Sequence, residues 1–185
     1  ASAISSDKWT KLTSAALNVV YTIVPVGDNG CTGDAFTVTV TINPEPVVAN
    51  QTPGSVCSDV AAGVNFNLSS SVAAATYNVT GLVLNGATIV SGTPQANGLA
   101  VTALANDTYN NITSGIVNVV YTVVPVSGAG CSGESFTVTL PINPEPVVTA
   151  QTAETCSDVA LNLSLDALIP LSGDTYTYTV ASSNQ

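Results

Sequence analysis

Asn118-Val-Val-Tyr-Thr-Val-Val-Pro-Val126, followed by Gly130-Cys-Ser-Gly133 and Phe136-Thr-Val-Thr-Leu-Pro-Ile-Asn-Pro-Glu-Pro-Val-Val148, decides the fold, because the chain contains it twice. The earlier copy reads Asn18-Val-Val-Tyr-Thr-Ile-Val-Pro-Val26, Gly30-Cys-Thr-Gly33 and Phe36-Thr-Val-Thr-Val-Thr-Ile-Asn-Pro-Glu-Pro-Val-Val48, at a constant offset of 100 residues. A fixed long period is the mark of an array of like modules. Within the stretch, Phe136, Val138, Leu140 and Ile142 fall on one face and Thr137 and Thr139 on the other, the period of two of a half-buried strand. Proline replaces Thr41 at position 141, which predicts a sheet edge or a bulge there, since proline cannot donate to a ladder. The preceding strand, Val19 to Val26 in the first copy, is apolar on both faces, as a central strand should be. The glycine-rich link between the two strands suits a hairpin with residues at positive φ.

Outward from this stretch, Asn43-Pro-Glu-Pro46 forms a stiff extended boundary. The chain divides there into 1–45, the C-terminal half of one repeat; 46–145, a complete repeat; and 146–185, the N-terminal part of the next. It thus reads as a section of a longer polypeptide. Inside the complete repeat, Val64 to Leu68, Tyr77 to Leu84 and Leu99 to Leu104 read as strands. Asn85-Gly86 reads as a hairpin turn leading into Ala87 to Val90. About seven strands in about 100 residues fit an all-β, immunoglobulin-like sandwich.

Composition narrows the partners. Among 185 residues only 8% are charged and 45% are hydrophobic, so the chain can bury a core and cover it with Thr, Ser, Asn and Gly. Net charge is −10 with two basic residues, Lys8 and Lys11, which leaves nothing to neutralise nucleic-acid phosphates or anionic lipid. No apolar run reaches the roughly 18 residues of a membrane span, so direct membrane insertion is not expected. Four cysteines with no Met and no His point to an extracellular protein with paired thiols.

The absence of histidine removes Ser-His-Asp and Cys-His catalysis, His-based zinc sites and imidazole bases. The acidic residues are placed differently in the two copies, as Asp28 against Gly128 shows, which favours solvated turns over a catalytic dyad. The protein is therefore expected to be no enzyme and to need no cofactor. Asp28, Asp34, Glu45 and Asp59 lie near predicted loop ends and the boundary, and are weak candidates for calcium. The cysteines occupy matched positions, 31 with 131 and 57 with 156, without Cys-x-x-Cys spacing, so structural disulfides are expected. One scheme joins Cys57 to Cys131 and makes each repeat self-contained; another joins Cys31 to Cys57 and Cys131 to Cys156 across boundaries. Six Asn-x-Ser/Thr sequons, at Asn50, Asn67, Asn78, Asn106, Asn111 and Asn162, are mostly a product of composition. The Thr-x-Thr runs at Thr37 to Thr41 and Thr175 to Thr179 read as ordinary strand faces.

The pattern Tyr121-Thr-Val-Val-Pro, Gly130-Cys-Ser-Gly133, Phe136-Thr-Val-Thr and Asn143-Pro-Glu-Pro146, with Cys156-Ser-Asp opening the next unit, resembles the PKD-like, immunoglobulin-like repeats of very large Bacteroidetes surface and secreted proteins. The resemblance covers the whole chain. It implies a cell-surface array exported by type IX secretion, with roles in adhesion and, in some members, gliding motility, and it supplies no catalytic residues. The expected function is a stalk segment of an extracellular adhesin. Its partners are neighbouring repeats of the same chain, together with surface polysaccharide or other cell-surface proteins. The alternatives are a subunit of a self-assembling filament, joined by strand addition along Phe136 to Ile142, and a carbohydrate-binding accessory module. The last is disfavoured by a single tryptophan, Trp9, replaced by Tyr109 in the next copy.

Overall fold

The computed structural model describes residues 4–11, 13–66, 72–165, 167–169 and 174–181. Its secondary structure consists of strands: β1 (Leu17–Ile23), β2 (Phe36–Ile42), β3 (Val56–Cys57), β4 (Ala74–Val83), β5 (Thr88–Ser91), β6 (Thr108–Asn110), β7 (Val117–Ser127), β8 (Phe136–Asn143), β9 (Val147–Val148) and β10 (Ala167–Ile169). The protein is all-β. A four-stranded sheet in the order β3-β8-β7-β4 forms one layer of a sandwich. The second layer is the β5-β6 pair, extended by residues 61–66, which hydrogen-bond along the 101–108 segment (Ala62 N to Asp107 O 2.8 Å, Phe66 N to Val101 O 2.9 Å).

The alternation read from the sequence sets the core. Val119, Tyr121 and Val123 of β7 and Val138, Leu140 and Ile142 of β8 are fully buried, and they meet Ala62, Val64 and Phe66 from the other layer. Phe66 stacks on Tyr77 with ring centroids 4.5 Å apart, and Phe136 meets both rings edge-on at 6.3 and 6.4 Å. Edge-to-face and tilted packing of this kind adds to the gain from burial alone. Every residue of this core lies between Val48 and Ile142.

The first copy of the motif folds as the second does. β1 and β2 pair in the register of β7 and β8: Tyr21 faces Val38 and Ile23 faces Phe36, as Tyr121 faces Val138 and Val123 faces Phe136. What differs is cover. Phe36 is 49% exposed where Phe136 is 2% exposed, because among the described residues the β1-β2 ribbon has no second layer against its apolar face.

Several expectations need correction. β8 is not an edge strand, because β7 flanks it on one side while residues 51–57 run parallel to it on the other. The amides of Thr137 and Thr139 point toward that parallel segment, donating to Asn50 Oδ1 (2.8 Å) and Gln51 O (2.9 Å), so the missing amide of Pro141 faces the same way. It meets the gap between the pairings at Gln51 and Val56, where no donor is required. Asn85 and Gly86 do take positive φ (49° and 103°), yet the turn is no hairpin, because β4 pairs with β7 whereas β5 pairs with β6. Local turn chemistry was legible, but the sheet each flank joins was not. Residues 101–106 form consecutive turns rather than a strand, although Leu104 is buried, and the strand β6 that follows them had no sequence signal. The expected strand at Val64 to Leu68 is extended as far as Phe66, and Asn67 and Leu68 lie outside the described residues. The described residues 174–181, which include Thr175 to Thr179, form no strand.

Candidate functional site

Among the described residues the polar chemistry collects at the two poles of the sandwich, where the chain enters and leaves. At the first pole stands the β7-β8 hairpin. Ser127 N donates to Cys131 O (2.9 Å), Gly130 N to Ser127 O (2.9 Å) and Gly133 N to Pro125 O (2.9 Å), with Gly130 at φ 81°. The same three bonds recur at Gly27, Gly30 and Gly33. The incoming segment lies against this hairpin: a Cβ built on Gly133 would stand 1.8 Å from Pro46 O, so only glycine permits the approach. Cys131 Sγ sits 3.9 Å from Asn43 O.

At the opposite pole the outgoing Asn143-Pro-Glu145 is latched. Asn111, fully buried, donates from Nδ2 to Gly115 O and Ile142 O (both 2.9 Å), while its Oδ1 accepts from Thr113 N (3.0 Å) and Thr113 Oγ1 (2.7 Å). All four hydrogen bonds of the amide are thus made. Glu145 N donates to Asn111 O (3.1 Å), repeated as Glu45 N to Lys11 O (3.0 Å). Buried Ser58 donates from N to Asn143 O (3.3 Å), and its Oγ accepts from Asn111 N (2.7 Å). Asn110 Nδ2 is shared by Glu145 Oε1 (2.8 Å) and Asp59 Oδ2 (3.2 Å).

These placements sort the sequence candidates. Of the calcium candidates, Asp28 and Asp34 lie in the first hairpin loop and Glu45 at the first boundary, while Asp59 shares the Asn110 amide with Glu145. Among the described residues no group of three or more Asp, Glu, Cys or His side chains forms a metal cage. All four cysteines are free thiols. Cys57 pairs with Asn143 at the end of β8, whereas Cys131 lies beyond Phe136 at its start. Seven steps along a strand span about 23 Å, against the roughly 7 Å limit on Cα separation in a disulfide. The Cys57–Cys131 bridge is therefore excluded by the parallel run of 51–57 along β8. The cross-boundary pairings are not made either. Cys31 is on the β1-β2 hairpin, a strand length from Asn43, while Cys57 lies a strand length beyond the hairpin that touches Asn43. Cys156 is exposed and opens a turn closed by Val159 N donating to its carbonyl (3.2 Å).

Three buried groups, two phenols and a carboxyl, bear on pH behaviour. Tyr109 and Tyr121 share a 2.6 Å hydrogen bond inside the core; burial raises both phenols, Tyr109 to about 12. Burial also raises the Asp107 carboxyl, although the Thr93 amide favours its charged form. A surface groove of about 620 Å³ runs beside Asn50, Thr52, Asn65 and Phe66, and no titratable group lines it.

The model of the PKD-like domain matches residues 1–46 and again residues 54–146. The chain belongs to the PKD-like domain family. No curated protein and no solved structure shows a match. The two matched segments of this PKD-like protein carry the two copies of the hairpin and of the boundary hydrogen bond to Glu45 or Glu145. No helix in the described residues is long and apolar enough to cross a membrane. Sequence reasoning missed Ser58, Asn111 and Glu145. Asn111 appeared only as a sequon, and the other copy carries Lys11 at its position, so comparing the repeats could not expose it.

Proposed function

We propose that this chain is a load-bearing stalk segment of an extracellular adhesin, in which PKD-like sandwiches at 46–145 and in the flanking stretches 1–45 and 146–185 follow one another end to end. The observation that carries the reading is the direction of the first and last strands. The chain enters beside the β7-β8 hairpin, runs through Gln51 and Val56 parallel to β8, and leaves from the far end of β8. Tension applied at positions 46 and 145 therefore pulls the incoming segment and β8 past each other. Their hydrogen bonds, Gln51 N to Thr137 O (2.8 Å), Thr139 N to Gln51 O and Ser58 N to Asn143 O, are loaded together in shear and not opened one at a time. The 11 residues of β7 give each sandwich a length of about 36 Å. The reading extends, through the resemblance of its motifs, to export by type IX secretion in Bacteroidetes surface adhesins, including those of gliding motility, with ligand contacts made elsewhere in the full protein.

Single-molecule pulling on the full chain tests this. One cooperative extension of roughly 300 Å is expected as the sandwich at 46–145 opens, from about 3.5 Å per residue less the folded length. Val56→Pro, which interrupts the parallel pairing, should lower the unfolding force far more than Ile89→Pro in β5. Equal forces for the two variants, or extension without a cooperative step, would refute the stalk. Ordered lateral filaments of the unloaded chain in electron microscopy would instead favour assembly.

A further inference from the structure

The free state of all four thiols follows a pattern that the repeat itself explains. Cys131 Sγ lies 3.9 Å from the carbonyl of Asn43 at one pole. Asn143, the residue matching Asn43 one period on, has Cys57 as its parallel strand partner at the other pole, and its carbonyl accepts from Ser58 N, next in the chain to Cys57. One asparagine position is thus touched from two sides: by the first-strand cysteine of its own sandwich, and by the hairpin cysteine of the sandwich that follows. From this we infer that the disulfide of the array joins Cys57 of one sandwich to the hairpin cysteine, equivalent to Cys131, of the next. The inference rests on the end-to-end reading proposed above.

The geometry meets the requirements of a bridge. Paired strands place Cys57 Cα about 4.8 Å from Asn143 Cα, and the hairpin sulfur of the following unit would reach the carbonyl of that same residue. Both cysteines therefore adjoin one asparagine position, which is the neighbourhood a bridge with its Cα separation of at most about 7 Å requires. Cys57 is exposed and Cys131 half-buried, so both are open to exchange. The same rule explains why no pair forms within this chain. Cys131 would need the first-strand cysteine of the sandwich before it, and Cys57 the hairpin cysteine of the sandwich after it, and neither lies within these residues. The matching turns at Cys57 and Cys156, with Asp59 and Asp158 at φ 61° and 59°, show the first-strand cysteine set in the same local frame twice.

Bond formation needs an oxidant, here a small-molecule disulfide such as oxidised glutathione. The thiolate of one cysteine attacks it and releases one glutathione thiol, leaving a mixed disulfide. The second cysteine, giving up its proton, attacks the protein sulfur of that mixed disulfide and releases a second glutathione thiol. The two cysteines lose two electrons and two protons, and the oxidant leaves as two thiols.

The test is the full chain with residues 46–145 duplicated in frame, so that two complete sandwiches stand in series. After equilibration with oxidised and reduced glutathione, free thiols are alkylated and peptides mapped without reduction. One bridge is expected, from Cys57 of the first copy to Cys131 of the second, with Cys31, Cys131 of the first copy, Cys57 of the second copy and Cys156 alkylated. Cys57→Ser in the first copy should free Cys131 of the second copy for complete labelling, while the same substitution in the second copy should leave the bridge intact. A bridge within one copy, a bridge between chains, or full alkylation of all six thiols would overturn the inference. Pulling the duplicated chain under reducing conditions reads the stalk separately: cooperative steps without the bridge would sink the disulfide alone, whereas their loss would sink the stalk.

Discussion

Asn111→Ala is the sharpest probe of how the sandwich holds its outgoing chain. The native side chain is fully buried and makes four hydrogen bonds, to Gly115 O, Ile142 O, Thr113 N and Thr113 Oγ1. At about 1 kcal/mol net for each, and with the buried Ile142 carbonyl losing its donor, truncation should cost about 4 kcal/mol. That is a large part of the roughly 5–15 kcal/mol of an ordinary domain. At about 4–8 °C per kcal/mol for a unit of this size, the melting temperature should fall by on the order of 15–30 °C. Urea unfolding followed by tryptophan-independent circular dichroism, with calorimetry alongside, measures both quantities. Asn111→Asp is expected to destabilise too, because it removes both donors and sets a negative charge against the Gly115 and Ile142 carbonyls. Ile112→Ala, at a position 53% exposed, serves as the control and should stay within about 0.5 kcal/mol of the parent. An Asn111→Ala chain within about 1 kcal/mol of the parent, at unchanged m-value, would refute the latch.

Phe136→Ala should cost about 3–5 kcal/mol in calorimetry, since its ring is buried against Phe66 and Tyr77, whereas Phe36→Ala, on the uncovered ribbon, should cost far less. Gly133→Ala, which drives a Cβ into Pro46 O, should lower stability by about 1–3 kcal/mol and shift the amide resonances of residues 46–51, with Gly33→Ala milder because it meets only the Pro25 ring at 3.0 Å. Stability should fall as pH rises from about 10 to 12: the unfolded tyrosines ionise there while Tyr109, pushed up to about 12, and Tyr121 keep their protons in the fold. Circular dichroism against pH reads this, and the Tyr109→Phe, Tyr121→Phe double variant should lose most of that slope.

The residues of β7 and β8 made their strands legible, since alternation with a period of two is a local property and the inner face of a sheet rewards it directly. The hairpin was legible for the same reason: Gly130 stands where a positive φ is needed. The poles were not. Asn111 and Ser58 look like ordinary surface residues in sequence, and become the latch only because β8 brings the carbonyls of Ile142 and Asn143 to them. The 100-residue period alone determined that the hairpin motif recurs, and the lack of histidine alone ruled out imidazole chemistry in these residues. Tertiary structure decided that β8 is internal, that Asn85-Gly86 joins two sheets, and that Cys57 and Cys131 stand at opposite poles. Those outcomes depend on which distant strands pair and in which direction, and strand direction leaves no trace in a local pattern of apolar and polar residues.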